Sequence, residues 1–117
     1  MALKVEITLN ENNDENINCT LTTNNPTAGT TLDLTGMTLE AFLKPTKATA
    51  DTDGAVWKGT SSPASGVTVT NAAGGLVTVS IPASAIDTTK TWWRLDVISS
   101  GGKRKTALYG TVTVNDL

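Results

Sequence analysis

The residue types that most often carry chemistry are scarce in this chain. It has no histidine and a single cysteine, Cys19, which removes the commonest general base, the commonest transition-metal ligand and any intrachain disulfide. The carboxylates Asp33, Glu40, Asp87 and Asp96 are available for acid–base work, but nothing in their spacing brings two of them together. Serine and threonine nucleophiles lack a histidine to activate them, and no motif supports a Ser–Lys arrangement. Asp51-Thr52-Asp53-Gly54 resembles the opening of a calcium loop, in which alternate carboxylates wrap a hard cation. Lys58 and Thr60 stand in the region where the closing acid is needed, so an Asx-type turn is the expectation. No catalytic, cofactor or metal site is expected, and the chain is read as a non-enzyme.

Residues suited to binding are easier to find. Trp92 and Trp93 are adjacent, and neighbours in a strand point to opposite faces, so both rings cannot enter one core. Trp93 shares a face with Leu95 and Val97 and is expected inside. Trp92 then faces outward beside Arg94, a pairing of types enriched at protein interfaces, or is covered by a loop of its own chain. Trp57 poses the same question. Lys103-Arg104-Lys105 follows two glycines and is expected to project from a hairpin tip, either as a solvated turn or as a contact for an acidic partner. Trp92, Arg94, Trp57, Lys103, Arg104 and Lys105 are therefore the expected partner-binding residues. Asn18-Cys19-Thr20 fits the N-glycosylation pattern, but no signal peptide is recognisable and the sequon is discounted.

The elements that position these residues follow from composition and period. A chain of 117 residues is one domain, residues 1–117, able to bury roughly two-thirds of the surface of its unfolded form. With 38% hydrophobic but only 4% aromatic residues, the core must be built mainly from Val, Leu, Ile and Ala. A net charge of −2 offers no general attraction to nucleic acid or an anionic membrane, and no run approaches the ~20 apolar residues of a membrane span.

Leu3, Val5, Ile7 and Leu9 alternate with polar residues as one strand, and Ile17, Cys19 and Leu21 as another, joined by the turn-forming NENNDEN stretch. A loop is expected from Thr23 to Thr31. Met37 to Lys44 is ambiguous between helix and strand; Pro45 closes it early, and it is read as a strand with Leu39, Ala41 and Leu43 on one face and Phe42 on the other. Ala55 to Lys58 is a short strand. Val67 and Val69, the turn Asn71–Gly75, and Val77, Val79 and Ile81 form the clearest hairpin. After Pro82 one helical or 3₁₀ turn is expected, with Ile86 inward. Trp92 to Ile98 and a final run with Leu108, Gly110, Val112 and Val114 on one face complete seven or eight short strands. That spacing marks an all-β sandwich or small barrel.

The order of features, KVEITL, LDLTG into TLEAFLKP, GLVTVSIPASAI, TWWRLDVIS and GTVTV, resembles the Ig-like β-sandwich modules of tailed-phage virion proteins. These are found at the N-terminus of baseplate upper proteins and in small tail or capsid accessory proteins. The likeness runs from Lys4 to Val114 and rests on Leu34-Thr35-Gly36, Lys44-Pro45, Ile81-Pro82 and the Trp92-Trp93 strand. The resemblance implies an Ig-like antiparallel sandwich of seven to eight strands and a structural role, present in many symmetric copies, docking on other virion proteins after assembly in the host cytoplasm. It carries no catalytic residue. The chain ends at Leu117 without a downstream coiled coil, which favours a capsid decoration or tail accessory protein. The alternative is a carbohydrate or cell-surface binding module, since tryptophans displayed on a sandwich can stack against sugar rings.

Overall fold

The computed structural model describes residues 3–22 and 31–116; the expected loop from Thr23 lies, Thr31 apart, outside them. Among the described residues ten strands form two facing sheets: β1 (Leu3–Lys4), β2 (Ile7–Asn10), β3 (Glu15–Thr20), β4 (Thr38–Lys44), β5 (Trp57–Ser61), β6 (Ala64–Ser65), β7 (Val67–Asn71), β8 (Leu76–Ile81), β9 (Trp92–Ile98) and β10 (Arg104–Asn115). The larger sheet runs β1-β10-β9-β4-β5-β6, with β2 also on β10, and the smaller runs β3-β8-β7. The protein is thus an all-β sandwich. A 3₁₀ turn, Ala83–Ala85, follows Pro82 and delivers Ile86 into the core, as expected.

Period two decides which side chains lie between the sheets. Leu39, Ala41 and Leu43 of β4 are buried, and so are Trp93, Leu95 and Val97 of β9 and Val77, Val79 and Ile81 of β8. The run that is ambiguous in sequence is therefore a strand, Thr38–Lys44. Its seven ordered residues pair with β9 from Thr38↔Ile98 to Lys44↔Trp92, a backbone arrangement that a short proline-ended helix could not match in hydrogen bonds. The hairpin of β7 and β8 turns at Asn71–Gly75, where the Asn71 carboxamide accepts the Gly74 N–H at 3.1 Å. The turn is tied to the rest of the sandwich by Leu21 N–H to Gly75 carbonyl (2.9 Å) and Leu34 N–H to Ala72 carbonyl (2.8 Å).

The N-terminal run differs from expectation. Alternation from Leu3 to Leu9 predicts one strand, whereas β1 and β2 are separate, and both run parallel to β10 while the other ladders are antiparallel. The register is the same on either side of the break, Leu3↔Leu108 and Ile7↔Val112. At the break the Val5 carbonyl accepts the Trp93 indole N–H at 2.8 Å, and the Val5 N–H donates to the Tyr109 carbonyl at 2.7 Å. Gly110, the cross-strand neighbour of Trp93, lies beneath; a methyl group there would stand 2.0 Å from the Val5 carbonyl oxygen. The strand is interrupted because a buried indole needs an acceptor, and a main-chain carbonyl supplies it. This break and the two-residue β6 raise the number of strands above the seven or eight expected.

Candidate functional site

Two outer faces could carry function, and they are built on opposite principles. On the larger sheet, Glu40 of β4 lies directly opposite Asp96 of β9, although their spacing in the chain does not announce it. Like charges so placed repel. Arg104 resolves the conflict by donating from Nη1 to Asp96 Oδ2 at 2.8 Å and from Nη2 to Glu40 Oε1 at 2.5 Å. Lys58 closes one end on Glu40 Oε2 at 3.1 Å. At the other end Arg94 bridges Asp96 (Nε–Oδ1, 3.0 Å) and Asp51 (Nη2–Oδ2, 2.6 Å), and Lys44 completes the series on Asp51 Oδ1 at 2.5 Å. Cations and anions alternate without a gap from Lys58 to Lys44.

The arrangement is dry at its centre. The Asp96 side chain is 1% exposed and also accepts the Thr106 hydroxyl at 2.9 Å. Phe42, on the same outer face, is buried under Arg94, whose guanidinium carbon stands 4.6 Å from the ring centroid, a cation–π placement. Burial raises the pKa of Asp51, but hydrogen bonds from Arg94 and Lys44 outweigh it and hold the carboxyl below its ordinary value. Glu40 behaves alike, with Arg104 and Lys58 overcoming its burial. For Arg104, the bonds to Asp96 and Glu40 raise the pKa. Every carboxylate in the series is engaged by a permanent cation, and Arg104 stands between Glu40 and Asp96. The group braces the sheet and is not arranged as a proton-transfer pair.

Trp93 is inside and Trp92 outside, as the alternation requires. Trp92 is half-buried: Tyr109 lies with its ring centroid 5.8 Å away, and Lys47 of the loop after β4 places its ammonium 5.3 Å from the indole. That same loop holds Asp51 on Arg94. The stretch that resembles a calcium loop is an Asx turn, as expected, with Asp53 Oδ1 accepting the Ala55 N–H at 2.9 Å, while Asp51 binds Lys44 and Arg94. The basic tip needs correction. Only Lys103 lies in the turn; Arg104 and Lys105 begin β10 and point to opposite sides, and Arg104 lies along the sheet on its two carboxylates. Its partners are set by strand register, which the local sequence does not show. Cys19 faces the core, and burial pushes its thiol up to about 11.

The smaller sheet presents a face of another kind. Asn16, Asn18 and Thr20 of β3, Leu76, Thr78 and Ser80 of β8, and Thr68 and Thr70 of β7 point outward, and none carries a charge. Asn18 and Thr78 are cross-strand partners joined by a 2.9 Å hydrogen bond. Leu76, 39% exposed, is the exposed large hydrophobic side chain among the described residues. At one end of this face opens a cleft of about 550 Å³, lined by Asp14, Asn16, Trp57, Ser65, Gly66, Ser80, Ile81 and Pro82. Trp57 is thus not paired with Trp92 in one site; the two lie on different faces.

No protein-family model matches the sequence, and no curated protein matches it. Among the described residues no helix is long and apolar enough to cross a membrane.

Proposed function

We propose that the chain is a non-enzymatic structural protein of a tailed-phage virion, a capsid decoration or tail accessory module that docks on neighbouring virion proteins and on copies of itself. The observation that carries the docking is the charge-free outer face of β3-β8-β7. Bringing a buried ion out of water costs far more than bringing a hydroxyl or amide, which a partner's polar groups can satisfy. This face is therefore the cheaper one to cover, while the larger sheet has already committed its charges to one another. β3 and β7 are the margins of the small sheet, and a margin offers backbone groups to an added strand. The virion setting comes from the sequence resemblance.

The test is the solution mass by light scattering over a concentration series, for wild type, Thr78→Lys and Trp92→Ala. The reading expects a defined oligomer that Thr78→Lys dissociates and Trp92→Ala leaves assembled. A monomer at every concentration would remove the symmetric-copies reading, and an oligomer indifferent to Thr78→Lys would remove this face as its seam.

A further inference from the structure

The cleft at Trp57 has features that docking does not need. Trp57 pairs with Leu43 at the margin of the larger sheet, and the outer edge of its six-membered ring lies over Gly59 and Gly66. A methyl group on either glycine would stand 2.7 Å from a ring atom, so both positions must lack a side chain for the indole to sit there. The ring is seated on backbone, packs in part against the core and lines the cleft with the rest of its surface, which makes it a platform prepared before any ligand arrives.

Around this platform stand polar groups with capacity to spare. Asp14 Oδ1 accepts the Ala83 N–H at 2.8 Å, while its Oδ2 has no partner among the described residues. The same holds for the Asn16 carboxamide, the Ser65 and Ser80 hydroxyls and the Trp57 indole N–H. Donors and acceptors are mixed. The lining contains no lysine or arginine and one carboxylate, which disfavours phosphate, sulfate and other anions. One carboxylate is too few for a hard cation, which wants six or more oxygens. A wholly apolar ligand would strip water from these groups without replacing it. The complement is a neutral molecule with hydroxyls around its rim and C–H groups on a face.

We infer that the Trp57 cleft binds a neutral saccharide, one pyranose ring lying on the indole and its hydroxyls bonded to Asp14, Asn16 and Ser80. The cleft's volume, about 550 Å³, is within the range of small-ligand sites, roughly 300–1,000 Å³. It continues into the uncharged strip of Asn18 and Thr78, so an oligosaccharide can extend along β3 and β8. An oligosaccharide so extended would share Asn18 and Thr78 with the docking face, so the two readings are told apart by their readouts, docking as a mass and the sugar at the Trp57 indole.

The experiment follows the indole N–H signals by NMR, with Trp57 assigned from Trp57→Phe, during titration with glucose, galactose, mannose, N-acetylglucosamine, maltotriose and cellotriose. Glucose 6-phosphate and adenosine test anionic and planar aromatic ligands. The expected result is a saturable shift of the Trp57 signal with at least one neutral sugar. Asn16→Ala and Ser80→Ala, both off the core, should weaken binding about tenfold with an unchanged melting temperature, and Trp92→Ala should bind as wild type. The inference is overturned if no neutral sugar saturates the Trp57 signal, if glucose 6-phosphate or adenosine binds in preference, or if Asn16→Ala and Ser80→Ala both bind as wild type.

Discussion

Replacing Asp96 by Asn isolates the centre of the charge series on the larger sheet. The side chain is 1% exposed and receives three donors, Arg94 Nε at 3.0 Å, Arg104 Nη1 at 2.8 Å and Thr106 Oγ1 at 2.9 Å. Asparagine keeps the volume but offers one oxygen and turns an N–H₂ group toward the remaining donors, so at least one donor faces another. Removing one partner of a fully buried pair costs about 3–5 kcal/mol. Here Arg94, 21% exposed, keeps Asp51, and Arg104, 45% exposed, keeps Glu40, and water reaches both; the expected loss is about 2–3 kcal/mol. For a domain of this size that lowers the melting temperature by about 10 °C and the urea midpoint by on the order of 1–2 M. Lys58→Met, at the exposed end with 50% of its side chain in water, should cost under about 0.5 kcal/mol. Urea unfolding followed by tryptophan fluorescence measures both. If Asp96→Asn loses no more than Lys58→Met, the series is surface decoration and the reasoning fails.

Gly110→Ala should push the Val5 carbonyl away from the Trp93 indole and cost about 1–3 kcal/mol; amide exchange should quicken first at Leu3 to Val5, and uniform protection would contradict it. Glu40 and Asp51 are both held below their ordinary pKa, so the unfolded chain takes up protons first on acidification. Their contribution is complete well above the unfolded values of 4.5 for Glu40 and 3.8 for Asp51 and is lost as pH falls through these to their lower folded values. A urea midpoint that does not fall between about pH 6 and pH 3 would refute this. Cys19, with its thiol raised by burial to about 11, should resist a thiol reagent at pH near 8 until the chain unfolds; rapid labelling of the folded protein would show the site open.

The candidate surfaces were legible to different depths. Trp93 inside and Trp92 outside follow from adjacency in a strand, and the Asx turn at Asp53 from local chemistry. Arg104 is the instructive miss. Three basic residues after two glycines look like a loop tip, yet β10 begins at Arg104, and the carboxylates that bind it lie 8 and 64 residues away. The cleft was invisible for a similar reason, since its lining comes from the turn before β3 and from β3, β5, β6 and β8, with Gly66 between β6 and β7. Trp57 stands out in the sequence, but nothing near it in the chain says that Asn16 and Ser80 stand beside it.

By itself the sequence determined the all-β class, the buried face of each main strand and most turns, because period two and the backbone preferences of Gly, Pro, Asn and Asp act over a few residues. The tertiary structure alone decided that Glu40 opposes Asp96, that the N-terminal strand divides to receive the Trp93 indole and runs parallel to β10, and that Trp57 is seated over Gly59 and Gly66. Those facts depend on which strands become neighbours and in what register. Register is a property of the whole sandwich, chosen when both sheets bury their apolar faces together.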